Sequence, residues 1–395
     1  MIGATAVPLR TKGNQNLWRD ATGPSRIDVM KSARSATLKF LVLALLILSV
    51  RHVLSPPVQA NEVDKVAIAR HFVNRAWISD DWYLNQPIGY RYLFNGVTGV
   101  LMNVLPIWIG TILLRAVLLV SYAYALYRLG NVLGVRLLFV VLALWVFLSS
   151  QSLVADESLV TGLETKAFSY VMVLLSLSFL LEERYRAMWL TLGLSFSFHV
   201  LVGGYATMVT VGLLALRIGR RPEIWATEGH RMVSGIWLYP ILGVLGLWSV
   251  VSYGVGAAPV DSEYAARIYA GWRNWHHTHV MIRSHGFSEV NLFKIVSAVG
   301  IAWISWIVTP RIDEFRRLKT FLLYASIASL LLLVGAVASS FRMYSITKYY
   351  PFRFPDVMVP FALSFGAATV VSHFVDRLLT PDRHTHWLTL LGVVA

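Results

Sequence analysis

Apolar runs close to the length of a bilayer crossing recur through most of this chain, and few folds accommodate them. They fall at 38–53 and then near 105–127, 135–150, 167–181, 187–200, 202–217, 235–253, 291–309, 320–340 and 357–374, with a last one starting at Trp387. A helix needs about 20 residues to cross hydrocarbon, and there every backbone polar group must be satisfied internally. The pattern predicts an all-α, polytopic transmembrane bundle of about eleven spans over 38–395. A chain that is 56% hydrophobic and 14% charged carries more apolar material than a soluble domain can bury. Residues 1–37, polar and punctuated by Arg10, Lys12, Arg19, Arg26, Lys31 and Arg34, read as a disordered basic cytoplasmic tail.

The formal charge of +14 would suggest nucleic acid in a soluble protein. Here no nucleic-acid motif accompanies it, and cytoplasmic loops facing anionic lipid explain it. With the spans alternating sides, Lys and Arg fall mainly on the inner side, which places the N-terminus in the cytoplasm. The stretch SPPVQA after the first run resembles a signal-peptidase site, but Arg51 and His52 intervene. Either way, the chain emerges outside the cytoplasm after Ala60. The absence of cysteine excludes disulfides and thiolate chemistry. The last run stops at Ala395, so the final span is read as incomplete.

The outer loops collect the ionisable residues that have no evident structural job. In 61–97, Val63, Ile68, Ala69, Phe72, Val73 and Ala76 recur at helical spacing, with Glu62, Asp64, Lys65, Arg70 and Arg75 mostly opposite. That spacing predicts an amphipathic helix along the membrane surface. Asp80 and Asp81 come just after it, where a carboxylate meets water without crossing hydrocarbon, and are the candidate catalytic acids. The plainer reading is that one caps a turn and the other is solvated. The second outer stretch, ADESLVTGLETKAFSY, offers Asp156, Glu157, Glu164 and Lys166, and its middle is apolar enough to dip back into the protein. Glu164 and Lys166 at a helix entrance fit either a site or a cap with a local ion pair.

His199 closes one run in SFSFHVLVGGYA, and Gly203 and Gly204 open the next, allowing close approach of helices or a ligand. A histidine there is either a hydrogen-bonded packing residue or part of a site. The loop 254–289 carries His276, His277, His279 and His285 without a matched carboxylate, so a metal is a weak reading and headgroup contact by Arg267, Arg273 and Arg283 the stronger one. The loop 341–356 interleaves Arg342, Lys348 and Arg353 with Tyr344, Tyr349 and Tyr350. Arginine forks suit phosphate, and prolines would stiffen the loop that presents them. Interfacial anchoring by the same residues is the alternative.

The long first outer loop with its acidic pair ISDDWYLN, the many spans and the late arginine loop together resemble the GT-C superfamily of integral-membrane glycosyltransferases. A segment with E-x-K (Glu164, Lys166) and later FHVLVG is also similar to an uncharacterised bacterial membrane family. The first resemblance implies sugar transfer from a polyprenyl-phosphate donor to a lipid, glycan or protein hydroxyl on the outer face of a bacterial inner membrane. It also implies that Asp80 or Asp81 stands at the active site. Arg342, Lys348 and Arg353, with Tyr349 and Tyr350, would then hold the donor, while Asp156, Glu157 and His199 would serve the acceptor or a divalent cation, with Glu164 and Lys166 as further substrate-binding candidates. No cofactor is otherwise indicated, and membrane lipids are the remaining partners. The alternatives are a transporter or flippase of an anionic lipid, which Arg115 inside a span favours, and a non-catalytic assembly protein.

Overall fold

The computed structural model describes 60–85, 91–149, 151–160, 162–220, 222–255, 262–278, 280–283 and 286–379, together with Ser35, Ala36, Lys39 and Phe40. The basic tail apart from Ser35 and Ala36, most of the first apolar run and the run starting at Trp387 lie outside these residues.

Within them the chain is helical, apart from a two-residue antiparallel pairing of Ile282–Arg283 with Gly286–Phe287. The main helices are α1 (Ala60–Val73), α2 (Tyr92–Val104), α3 (Ile107–Leu133), α4 (Leu137–Ser149), α5 (Thr165–Leu181) and α6 (Tyr185–Phe198). They continue with α7 (Val200–Arg220), α8 (Pro222–Val233), α9 (Val244–Val255), α10 (Glu289–Val308), α11 (Arg316–Ser340) and α12 (Arg353–Leu379). Their ends obey local chemistry. Pro106 cannot continue α2 and precedes α3, while α3 stops at Gly134, which takes φ 74° so that the Val135 N–H reaches the Gly130 carbonyl at 2.8 Å.

Five helices are long and apolar enough to cross a membrane: α3, α7, α10, α11 with the turn before it, and α12. They mark the chain as an integral membrane protein. A bent pair, Trp225–Leu242 and Val244–Ser252 at 53°, makes a sixth if taken as one broken span. The expected eleven are not found among the described residues. Helices α4, α5 and α6 have 13, 17 and 14 residues, which is about 20, 26 and 21 Å of rise against roughly 30 Å of hydrocarbon. The short run at α5 is apolar for another reason: Tyr170, Val173, Leu174 and Leu177 are buried among neighbouring helices, and a helix that is apolar all round can be protein core as well as lipid-facing.

The core joins α3, α4, α5, α6, α7, α11 and α12. Phe361 is its hinge point, edge-on to Phe147 at 5.4 Å and to Phe321 at 6.4 Å, with Phe365 at 4.5 Å. The helices run alternately, so the loops sort to two ends. At one end Glu183 pairs with Arg217 and Arg316, Glu314 with Arg377, and Arg136 with Asp376. The other end gathers the described residues of 60–85, 91–104, 151–160, 162–165, His199, 262–278, 280–283, 286–288 and 341–353.

Helix α1 forms where expected but does not lie as an amphipathic surface helix. Glu62, assigned to its polar side, is 1% exposed, whereas Val63 on the supposed apolar side is 56% exposed. The inward stripe is Glu62, Val66 and Ala69. Glu62 turns in because Arg115 of α3 waits there: Arg115 Nε donates to Glu62 Oε1 at 2.9 Å, and a second guanidinium nitrogen reaches Oε2. A buried cation needs such a partner.

Candidate functional site

The 151–164 loop is the centre of the end where the candidate residues gather. As its apolar middle implied, it folds back inside, with Ala155, Leu159 and Leu163 at 0% exposure and Val160 at 3%. A buried loop needs partners for its backbone, and side chains from several elements supply them. Gln151 closes the loop on itself, its Oε1 accepting from the Leu159 and Val160 N–H groups at 3.0 and 2.9 Å. The Tyr122 hydroxyl of α3 donates to the Leu159 carbonyl, and the Glu62 carboxylate accepts from the Leu163 N–H at 2.6 Å. Gly162 leaves room for this approach, since a Cβ there would lie 2.6 Å from Glu62 Oε1 and press the carboxylate aside.

The strongest tie is Asp356, in the first turn of α12 and fully buried. Its Oδ1 accepts from the N–H groups of Leu153 (3.0 Å), Val154 (2.7 Å) and Ala155 (3.2 Å). Its Oδ2 accepts from Ser152 Oγ (2.5 Å) and from the N–H groups of Ala155 and Glu157 (3.2 Å each). Sequence reasoning missed Asp356. In sequence it is the last residue of the 341–356 loop, and the available signal was an acid directly abutting the apolar run that starts at 357.

Held this way, Glu157 is 1% exposed and faces two cations from distant segments: Lys166 Nζ at 2.8 Å and Arg353 Nε at 3.2 Å. Glu164 occupies the N-cap position of α5 without a side-chain cap bond and lies 3.6 Å from Lys166. Arg353 opens α12, so it is fixed on a helix rather than carried on a loop, and its guanidinium lies over the Tyr350 ring at 4.1 Å. Pro355 likewise falls in the first turn of α12 and not in the loop. Tyr350 is buried against Tyr269 and His277, and His277 Nδ1 lies 2.8 Å from the Ala155 carbonyl. His199, in the break between α6 and α7, is buried. Burial, reinforced by the cations Arg353 and Lys166, pushes its imidazole down to about 3, and the Val202 N–H donates to Nδ1 at 3.3 Å. It is therefore a neutral hydrogen-bonded residue at the site's wall. Gly203 lets α7 turn against α6, for a Cβ there would meet the Phe196 backbone at 2.3 Å.

The remaining candidates sit on other segments of the same end. Asp156 is exposed beside it with φ 54°. Arg342 and Tyr349 are exposed, and Lys348 lies 5.2 Å over the Tyr349 ring. The Tyr349 carbonyl accepts from the Tyr205 hydroxyl at 2.7 Å. Arg342 and Lys348 make no ion pair among the described residues. Asp80 and Asp81 sit on a turn just beyond α1: Asp81 Oδ1 accepts from the Leu84 N–H at 2.9 Å, as a cap does, while Asp80 is exposed with only Ser79 Oγ nearby, at 3.4 Å. The turn is pinned by His71, whose ring nitrogens face the Trp77 carbonyl (2.8 Å) and Asn85 Oδ1 (3.1 Å). Alongside, burial and Asp64 push the Tyr83 hydroxyl above the ordinary phenol range.

Four of the five non-glycine residues with positive φ lie at this end: Ile78, Asp156, Arg342 and Tyr350, at 53–54°. A β-branched residue such as Ile78 adopts this conformation only under constraint, and such strain clusters at sites. No group of three or more His, Cys, Asp or Glu side chains suited to a metal occurs among the described residues, and the side chains of His276, His279 and His285 lie outside them. Comparison with protein-family models, with curated proteins and with solved structures finds no match in any of the three.

Proposed function

We propose that the chain is a GT-C-type glycosyltransferase of a bacterial inner membrane, moving a sugar from a polyprenyl-phosphate donor to a hydroxyl acceptor outside the cytoplasm. The observation that carries the reading is the convergence of Lys166, Arg353 and Glu157 at the end that also holds Asp80, Asp81, Arg342 and Lys348. Charge decides the roles. Lys166 and Arg353 are balanced by Glu157 and Glu164, so they form a neutral floor, and the surplus positive charge for a donor phosphate comes from Arg342 and Lys348 at its rim. Asp80, more open than the capping Asp81, takes the acceptor proton as the hydroxyl oxygen attacks the anomeric carbon. The sugar–phosphate bond breaks with inversion and the polyprenyl phosphate leaves with the electron pair, its charge met by the rim cations. The arginine-rich opposite end suits the cytoplasmic side.

The test is release of polyprenyl phosphate from labelled donors by the full chain in nanodiscs. The double variant Asp80→Asn/Asp81→Asn is expected to lose on the order of a hundredfold, and Arg342→Ala/Lys348→Ala to weaken donor binding. Full activity of the first variant defeats the base assignment. No release by wild type across a donor panel defeats the reading. Lipid movement without release would favour a carrier, for which the single bent pair is the structural argument; Arg115, neutralised by Glu62, is none.

A further inference from the structure

A polar cavity lies at the end of the bundle opposite the candidate site and has no part in the proposed transfer. It measures about 240 Å³ and is lined by Tyr124, Tyr127, Arg128, Asn131, Glu182 and Arg317, from α3, the end of α5 and the start of α11. That is below the roughly 300 Å³ where pockets for drug-sized ligands begin, so it fits a headgroup rather than a whole ligand. Its charge is positive. Glu182 is shared by Arg128 and, at 3.7 Å, by Arg184 from outside, while Arg317 donates one nitrogen to the Val132 carbonyl at 3.1 Å. Among the lining side chains two guanidiniums, Arg128 and Arg317, stand against the single carboxylate Glu182, which leaves one formal positive charge. The guanidinium of Arg128 is backed by the Phe179 ring at 4.3 Å, which fixes its plane. From this cavity an exposed apolar stripe, Leu113, Val117, Val120 and Tyr124, climbs one face of α3 at helical spacing.

We infer that this cavity binds one phosphate anion, Arg317 and Arg128 donating to its oxygens and the tyrosine hydroxyls flanking them. The stripe on α3 supplies the track for an acyl chain, so the phosphate is best carried by an anionic lipid whose tail lies along that helix. Such a site would fix the protein's depth in one leaflet.

The test is native mass spectrometry of the full chain in detergent, titrated separately with phosphatidylglycerol, phosphatidylcholine and inorganic phosphate. Wild type is expected to bind one phosphatidylglycerol in preference to phosphatidylcholine. Arg317→Gln, at an exposed position, should reduce that affinity on the order of tenfold. Glu182→Gln should raise it, because the competing carboxylate is gone, and a merely structural Glu182 would produce no rise. Binding of inorganic phosphate alone, with the same dependence on Arg317 and Glu182, supports the anion site and assigns it to a free phosphate. Unchanged binding of both phosphate probes in Arg317→Gln, at wild-type thermal stability, overturns the inference.

Discussion

Asp356→Asn is the sharpest perturbation of the candidate site, because it changes one oxygen to an amide and leaves shape nearly intact. If the amide oxygen keeps the Oδ1 position, the Leu153, Val154 and Ala155 N–H groups retain an acceptor. The new NH₂ then stands where Oδ2 stood, facing the Glu157 N–H at 3.2 Å and losing the second contact to Ala155. Ser152 can rotate to accept, but the backbone N–H of Glu157 cannot. One buried donor is left unsatisfied, and the surviving bonds lose their charge assistance. With about 1–3 kcal/mol for the orphaned donor and a further loss spread over the remaining bonds, the loop loses on the order of 3 kcal/mol. Hydrogen exchange of the purified protein in nanodiscs reads this directly, since 3 kcal/mol corresponds to about a hundredfold faster opening of the amides at 153–157. The amides of α10 should be unaffected, which separates local release from general unfolding. Glu157 then loses its fixed position between Lys166 and Arg353, and transfer by the variant should fall with it. Exchange at 153–157 within threefold of wild type would refute the claim that Asp356 locks the loop.

Buried charge sets two further outcomes. Glu62→Gln strands Arg115 and should cost about 3–5 kcal/mol in denaturant unfolding, while Glu62→Leu/Arg115→Met recovers only part of it, the Leu163 N–H being left without its acceptor; Gly162→Ala, pressing on the same carboxylate, should act as a milder Glu62→Gln, and an undiminished midpoint in Glu62→Gln would refute the pair's role. His199 is held below its ordinary value by burial, so an unfolded chain takes up the proton first. The associated stability is complete above about pH 6.5 and is lost as pH falls toward 3, on the order of 2 kcal/mol by pH 5. His199→Phe should therefore flatten the acid limb of thermal stability between pH 6.5 and 4.5, and parallel profiles for the two proteins would count against it.

Helicity and the membrane class were legible because hydropathy is local: α3, α7, α10, α11 and α12 coincide with runs visible in the residue order. The number of crossings was not, since α5 and α6 are apolar largely from burial in protein while α4, with Leu138, Leu142, Trp145 and Val146 exposed, has only 13 residues, and hydropathy does not distinguish protein from lipid as the covering medium. The inward dip of 158–163 was legible from its apolar composition. What filled it was not, because Glu62 and Asp356 reach it from far away in the chain. Asp80 and Asp81 drew attention as adjacent acids, yet local chemistry accounts for Asp81 as a cap. Glu62 looked polar-facing because its neighbours suggested it, and only Arg115 of another helix reverses that.

The three buried carboxylates share one consequence. Asp356 fixes residues 152–157, Glu62 fixes Leu163, and Glu157, on the loop itself, is fixed by Lys166 and Arg353. The ties come from three elements, two from α12 (Asp356 and Arg353) and one each from α1 and α5, so opening the loop strands a buried charge. A segment that only had to connect α4 to α5 across the outside would need none of this, and solvent would serve its backbone at lower cost. Over-determination of this kind is what a site needs when it must hold cations at fixed separation while a substrate enters and leaves. It also divides the labour among the acids: those with several donors are structural, and under the proposed transfer the acid that exchanges a proton with a ligand belongs to the exposed group, Asp80 or Asp156.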